Sequence, residues 1–215
     1  MDRYQSTKLL SASKLAAEKN DRWLFQDISF ALEPGELLHI KGSNGSGKTT
    51  LLRILCGLTR ADDGEVFWGG EKILRKHDEY HSQLSYVGHH DGIKQDLTVE
   101  ENLKIANVLA QDKRHSKRKI DLDEVLEQVG LRKKKYSFAR TLSAGQKRRL
   151  ALSRCLLNDT AVWILDEPLT SLDTHGIEFI ESMIKQHLAK DGLALVTSHH
   201  ALNVKTNNYK ELHLS

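Results

Sequence analysis

Gly42, Ser43, Asn44, Gly45, Ser46, Gly47, Lys48 and Thr49 fit the pattern G-x-x-x-x-G-K-[ST], with Thr50 following in the same turn. Glycines at these places let the backbone curl so that its N–H groups point at an anion, and a helix N-terminus adds partial positive charge. Lys48 then reaches the β- and γ-phosphates of a nucleotide, and the Thr49 hydroxyl holds Mg²⁺. The alternative is a glycine-rich turn with an incidental lysine, and the flanking residues speak against it. Leu37, Leu38, His39 and Ile40 read as a short strand before the loop, while Leu51, Leu52, Ile54 and Leu55 recur after it at buried-helix spacing. A second constellation begins with the apolar run Val162, Trp163, Ile164 and Leu165 and ends in two acids, Asp166 and Glu167. Acids at a buried strand end suit Mg²⁺ binding by Asp166 opposite Lys48, which leaves Glu167 to orient or deprotonate an attacking water. Such a pair also occurs as solvated turn residues, as read for Asp62 and Asp63 ahead of Gly64, but the upstream loop favours the first reading for Asp166.

These residues need a sheet and helices to hold them. From Lys8 to about Ile73 the pattern is strand-like, with Leu24 to Phe30 alternating apolar and polar, a turn at Glu33, Pro34 and Gly35, and a hairpin over Glu65 to Gly70. These segments predict a small, largely antiparallel sheet. From about Asp91 to Asn158 the pattern is helical and opens on Thr98, Val99, Glu100 and Glu101, a capping box ahead of Leu103 and Ile105. The runs Val162 to Leu165 and Leu193 to Val196 are continuous apolar stretches, as in parallel strands covered on both faces. Between them Ile177, Ile180, Ile184 and Leu188 recur at helical spacing, with Gly192 expected to stop the helix.

Composition bounds the rest. The chain has 215 residues, 39% of them apolar, two prolines and no low-complexity tract, which suits one ordered domain. Lys and Arg number 32 against 29 Asp and Glu, and a net charge of +3 gives no argument for nucleic acid, so none is expected as a partner. Cys56 and Cys155 lie inside apolar helical patterns, without metal-site or redox spacing, and read as buried reduced thiols in a reducing compartment. The charged start, Met1 to Thr7, precedes no apolar block, and no stretch approaches the ~20 apolar residues of a membrane span. Work at a membrane would then require a partner.

Many phosphate-loop enzymes share the two constellations, and what separates them is Leu142, Ser143, Ala144, Gly145 and Gln146, followed by Lys147, Arg148 and Arg149. This run resembles the L-S-G-G-Q signature of ABC ATPases, with Ala144 in place of the first glycine. Taken physically, Ser143 and Gln146 also match an ordinary capping box. The resemblance extends in family order to Ser171, Leu172 and Asp173, which match the D-loop, and to His199 at the end of the Leu193 to Val196 strand, which matches the switch histidine. It implies an α/β P-loop NTPase fold of the ABC cassette type, with a small antiparallel β-subdomain and a helical insert. One domain over 1–215 is expected, with the ATPase core at about 1–90 and 159–215 and the helical subdomain with the signature at about 91–158. It also implies ATP and Mg²⁺ as ligands, Glu167 and His199 as catalytic residues with Lys48, and an ATP-dependent homodimer in which Ser143 of one subunit faces the nucleotide of the other.

Two places depart from the family pattern. The usual aromatic that stacks on adenine falls at Lys19; Trp23 is the nearest replacement, and sheet packing is its equal alternative. The glutamine expected after Ser85, Tyr86, Val87 and Gly88, which contacts Mg²⁺, is replaced by His89, with His90 behind it. His89, then Gly92, Ile93 and Lys94, then Leu97 to Leu103, and the ending Ser198, His199, His200, Ala201, Leu202, Asn203 and Val204 resemble the ATP-binding subunits of cytochrome c maturation (haem exporter) systems. That implies a peripheral subunit on the cytoplasmic side of the bacterial inner membrane, bound to integral membrane permease subunits and driving haem export or release of a haem-loaded chaperone. An ABC motor for another substrate is the alternative. Single-cassette length without a coiled-coil insert argues against the ribosomal and DNA-repair relatives, and the signature argues against a small-molecule kinase. His77 and His81, four apart, and His89 and His90 are read as surface residues, and direct haem binding is not expected. The basic runs Lys113 to Lys119 and Arg132 to Lys135 are solvated faces or contacts for lipid headgroups.

Overall fold

The computed structural model describes residues 9–111, 120–157, 160–199, 201–204 and 208–215. The charged start, the basic run 113–119 and His200 lie outside the described residues. In chain order the elements are β1 (Leu10–Glu18), β2 (Trp23–Leu32), β3 (Leu37–Gly42), α1 (Lys48–Leu55), β4 (Asp63–Trp68), β5 (Glu71–Lys72), α2 (His77–Ser82) and β6 (Leu84–Val87). They continue with α3 (Val99–Gln111), α4 (Leu122–Gln128), α5 (Ala144–Leu152), α6 (Arg154–Leu157), β7 (Val162–Asp166), α7 (Thr174–Leu188), β8 (Leu193–Thr197) and β9 (Tyr209–Leu214).

The antiparallel sheet runs β2-β1-β4-β5. Asn20 and Asp21, both in the left-handed region (φ 53 and 59), join β1 to β2 by a turn closed by reciprocal bonds between Lys19 and Arg22. That backbone twist matches the right-handed twist of the flanking strands. The second sheet, β6-β7-β8-β3-β9, is parallel throughout. Its strands β7 and β8 are buried at every position, as their unbroken apolar runs require.

Alternation sorts the two faces of that sheet. Ile40, Ile164 and Leu195 pack with Leu51, Leu52 and Leu55 of α1 and with the antiparallel sheet. Trp163, Leu165, Ala194 and Val196 pack with Ile180, Met183, Ile184 and Leu188 of α7. The helical stretch has its own core, in which Val99 and Leu103 meet Val125, Leu126, Leu142 and Leu150. The expected box at its start is present: the Thr98 amide donates to Glu101 Oε2 at 2.7 Å and the Glu101 amide to Thr98 Oγ1 at 3.2 Å. Of the second basic run, Lys135 is taken up by Asp123 (2.6 Å) and Glu100 (3.4 Å), and Arg132 by Glu127 (3.4 Å).

Gly192 differs from expectation. The left-handed residue after α7 is Asp191 (φ 60), and Gly192 serves close approach: a Cβ there would lie 2.3 Å from the His187 ring, which stacks on Trp163 at 3.9 Å between centroids. His77 and His81 also stack, at 3.8 Å, and His81 Nε2 contacts the Cys56 carbonyl at 2.7 Å. No group of three metal-ligating side chains forms among the described residues.

Cys56 and Cys155 are each 1% exposed and unpaired. Burial pushes the Cys155 thiol up to about 12 and that of Cys56 further in the same direction. Native protein at about pH 8 is therefore expected to be inert to an aromatic disulfide reagent, with both thiols reacting once the chain is unfolded in denaturant. Rapid labelling of the native chain would contradict the burial of α1 and α6.

Candidate nucleotide site

The loop between β3 and α1 is shaped by contact with β2. Gly47 caps α1 in the left-handed region (φ 91), and a Cβ there would lie 3.0 Å from Leu24 Cβ and Phe25 Cδ1, so only glycine fits. Lys48 folds back over the loop and donates to the carbonyls of Gly42 (2.7 Å) and Ser43 (2.9 Å). Its ammonium is thereby held where the loop curls. Ser46 Oγ is buried with no hydrogen-bond partner, a polar atom of the kind a bound group satisfies.

Asp166, 1% exposed, ends β7 with both oxygens held: Thr49 Oγ1 donates to Oδ2 at 2.8 Å and Thr197 Oγ1 to Oδ1 at 2.7 Å. Thr197 is opposite Asp166 in the β7–β8 register. Its Oγ1 also accepts from the Glu167 amide at 2.9 Å. Glu167 takes a left-handed backbone (φ 50), a conformation that costs a non-glycine residue about 1–2 kcal/mol and so marks a place where the surroundings dictate the backbone. The turn buries Glu167 Oε1 without a hydrogen-bond partner; His199 Nε2 stands 3.4 Å from it and 3.1 Å from Asn44 Oδ1.

These groups open on one cleft of about 510 Å³. Asn44, Gly45, Gly47, Lys48, Thr49 and Thr50 line it from the loop; Asp166, Glu167, Thr170 and His199 from the ends of β7 and β8; and His89 from the turn after β6. On the remaining side stand Lys19 and Leu24. Trp23, 50% exposed, does not line the cleft. Successive strand residues face opposite ways, and Leu24 takes the inward place. The carboxylate and hydroxyl of Asp166 and Thr49 suit a hard cation such as Mg²⁺, which takes oxygen ligands; the His89 imidazole does not suit it as a direct ligand.

The signature and D-loop positions lie elsewhere. Ser143 caps α5 in a full capping box with Gln146 (3.0 and 3.2 Å), so the ordinary capping role is realised. Neither Leu142, Ser143, Ala144, Gly145 and Gln146 nor Ser171, Leu172 and Asp173 line the cleft of their own chain. The two segments touch: a Cβ on Gly145 would lie 2.9 Å from the Ser171 carbonyl, and Ser171 is itself left-handed (φ 65). Asp173 caps α7 by accepting from the Gly176 amide at 2.8 Å. Ser143, Ala144 and Ser171 are exposed at this junction.

Two residues that no motif marks also hold the site together. Thr197 is one; its only signal is a hydroxyl at the end of an apolar strand. Arg148, 4% exposed, is the other. From α5 it donates to the carbonyls of Gly88 (3.0 Å), Pro168 (3.4 Å) and Asp166, and to the Asp91 carboxylate (3.0 Å). In the sequence it is one of three adjacent cations, and only the fold turns it inward.

Residues 25–170 match the ABC transporter family. The chain belongs to that family. It is 46% identical over 200 residues to the Cytochrome c biogenesis ATP-binding export protein CcmA of Nitrosococcus oceani, covering 93% of this chain and 90% of the relative. The protein of the same name from Nitrosomonas europaea is 43% identical over 211 residues, covering 97% and 96%. Among solved ABC structures, a dimeric ATP-binding cassette in a post-hydrolysis state with ADP and Pi superposes with TM-score 0.80 at 21% identity, covering 96% of this chain and 94% of that one. An ATP-binding subunit of an ABC transporter superposes with TM-score 0.77 at 24% identity, covering 89% and 79%. The fold class read from the sequence is the one these structures share.

Within this ABC chain the placement of Trp23 outside the cleft has a measurable consequence. Trp23→Ala is expected to leave the ATP dissociation constant within about twofold, whereas loss of a stacked base contact would cost roughly 1–3 kcal/mol, a factor of ten or more. Titration with a fluorescent ATP analogue decides between them.

Proposed function

We propose that this chain is the ATP-hydrolysing subunit of an ABC complex that serves cytochrome c biogenesis, converting ATP and water to ADP and phosphate. The observation that carries the reading is the Glu167 carboxylate. Its Oε1 is buried, lacks a hydrogen-bond partner, and lies beside Asp166 and His199 at the mouth of the phosphate loop. A carboxylate so placed serves to accept a proton from water attacking the γ-phosphate. The backbone from Gly42 to Thr50 and Lys48 bind the phosphates, and His199 donates to the γ-phosphate from the position where it now meets Asn44. Thr49 and Asp166 would hold Mg²⁺, which would supply neutralisation of the phosphate charge. His89, exposed in the cleft wall, contacts this site through water in the place of the family's glutamine.

Ser143 and the D-loop, exposed and away from their own cleft, serve the nucleotide of a second copy in an ATP-dependent homodimer. The whole chain works as one cassette, with 91–158 as its helical subdomain. Membrane permease subunits dock on a second cleft, of about 140 Å³, lined by Gly92, Ile93, Lys94, Ile105, Leu109 and Arg154. Support comes from the apolar side chains left in solvent beside it on α3, Val108 at 58% and Leu109 at 63% exposed, where a monomer gains nothing from exposing them. No helix among the described residues is long and apolar enough to cross a membrane, which fits a peripheral subunit on the cytoplasmic face of the bacterial inner membrane. The cytochrome c assignment rests on the identity to the CcmA relatives.

Glu167→Gln is expected to bind ATP while hydrolysing it about 10²-fold or more slowly, and to sediment as a dimer in ATP. Lys48→Ala is expected to lose both turnover and affinity, since the phosphate charge loses its cation. Wild-type turnover in Glu167→Gln would remove the central residue of the proposal.

A further inference from the structure

β3 carries one residue out of keeping with its place. His39 is fully buried between Leu38 and Ile40 in a parallel strand, opposite Val196 of β8 and Glu211 of β9. An apolar side chain would pack there at no desolvation cost. Both ring nitrogens are engaged: Nε2 lies 3.1 Å from the Ser198 carbonyl and Nδ1 2.5 Å from the Tyr209 hydroxyl. A carbonyl only accepts, so Nε2 carries the proton. Burial, the largest influence, disfavours the imidazolium and holds the ring's pKa below its usual value, with Lys41 acting in the same direction; the Ser198 bond and the acids Glu211 and Glu167 oppose it. In the neutral ring Nδ1 is then an acceptor and Tyr209 the donor. The Tyr209 hydroxyl, pushed up to about 12 by burial and by the Glu211 carboxylate, keeps its proton, which it shares between the ring and Glu211.

The carbonyl that His39 holds belongs to the residue immediately before His199. We infer that His39 is a positioning residue for His199, fixing from inside the sheet the backbone from which His199 reaches Asn44 and the Glu167 carboxylate. Tyr209 orders the ring, the ring donates to Ser198, and Ser198 sets where the His199 side chain begins. A displacement of that backbone by a fraction of an ångström is enough to spoil a catalytic contact while leaving the phosphate loop intact. The inference rests on His199 acting in hydrolysis, as proposed above.

The test measures kcat and the ATP dissociation constant of the full chain for His39→Leu, His39→Gln, Tyr209→Phe, His199→Ala and the double variant His39→Leu with His199→Ala. His39→Leu is expected to lose about tenfold or more in kcat with ATP affinity within about twofold, because no part of the loop that binds phosphate is touched. His39→Gln, whose amide N–H occupies nearly the place of Nε2, restores most of the rate. The double variant falls no further than His199→Ala, since residues acting as one unit are not additive. Tyr209→Phe, at a partly exposed site and mild for the fold, lowers kcat a fewfold by freeing the ring, and it serves should His39→Leu not fold. A purely packing role would lower thermal stability with kcat unchanged, and this result in His39→Leu or Tyr209→Phe overturns the inference while His199→Ala is inactive. A double variant well below His199→Ala overturns it too. Wild-type turnover in His199→Ala instead strikes the reading of His199 itself, and the inference falls with it.

Discussion

An ionised carboxylate at the end of a strand covered on both faces survives only if its oxygens are hydrogen-bonded, since burying an unpaired charge costs several kcal/mol. Asp166 meets that requirement with two hydroxyls from two different elements, Thr49 in the first turn of α1 and Thr197 at the end of β8. The requirement therefore fixes more than one side chain. It sets the first turn of α1 against β7 and the β7–β8 register, and through the second bond of Thr197 it draws the Glu167 amide into a left-handed turn. The catalytic geometry proposed for Glu167 is thus a by-product of satisfying Asp166.

Arg148 extends the same logic to the helical stretch. That stretch has a separate core, and Ile93, Leu156 and Phe179 pack against both it and the parallel sheet. Apolar contacts of this kind are non-directional and permit sliding. The guanidinium is directional: four acceptors, from the turn after β6 and from the end of β7, converge on one side chain of α5. Lysine, with three donors at one point, could not reach them all. Since Gly88 and Asp91 bracket His89, the wall of the cleft at His89 is placed by the helix that carries Ser143.

What was legible in the sequence follows from how local its causes are. The loop between β3 and α1, the two apolar strands, α7 and both capping boxes depend on residues within a few positions of one another, and these fall where the pattern put them. A glycine after a helix satisfies two demands, left-handed backbone and close approach, and at Gly192 only the position of His187 shows which applies. Trp23 is near the adenine position in sequence, yet one residue along a strand reverses the face, and Leu24 is the one that lines the cleft. Thr197, Arg148 and His39 were invisible for a common reason. Each acts through partners distant in sequence, lying 31, 18 and 159 positions from Asp166, Asp166 and Ser198 respectively, and no period or motif reports such pairs.

The departures at Lys19 and His89 fall in different walls of one cleft. With Leu24 and Lys19 in place of an aromatic wall, the base end of the cleft offers an aliphatic side chain and a cation, so binding energy for a nucleotide is concentrated at the phosphate end, where Lys48 and the loop amides stand beside Asp166 and Thr49. A ligand held mainly by its phosphates is held less tightly once the γ-phosphate leaves, because part of the charge that held it is lost. The exposed junction of Gly145 with Ser171 is coupled to the same end of β7: α5 is tied through Arg148 to the backbone of Asp166, and through Gly145 to the turn that follows Glu167. Any shift of the β7 end on hydrolysis must move the signature and the D-loop together, as one surface.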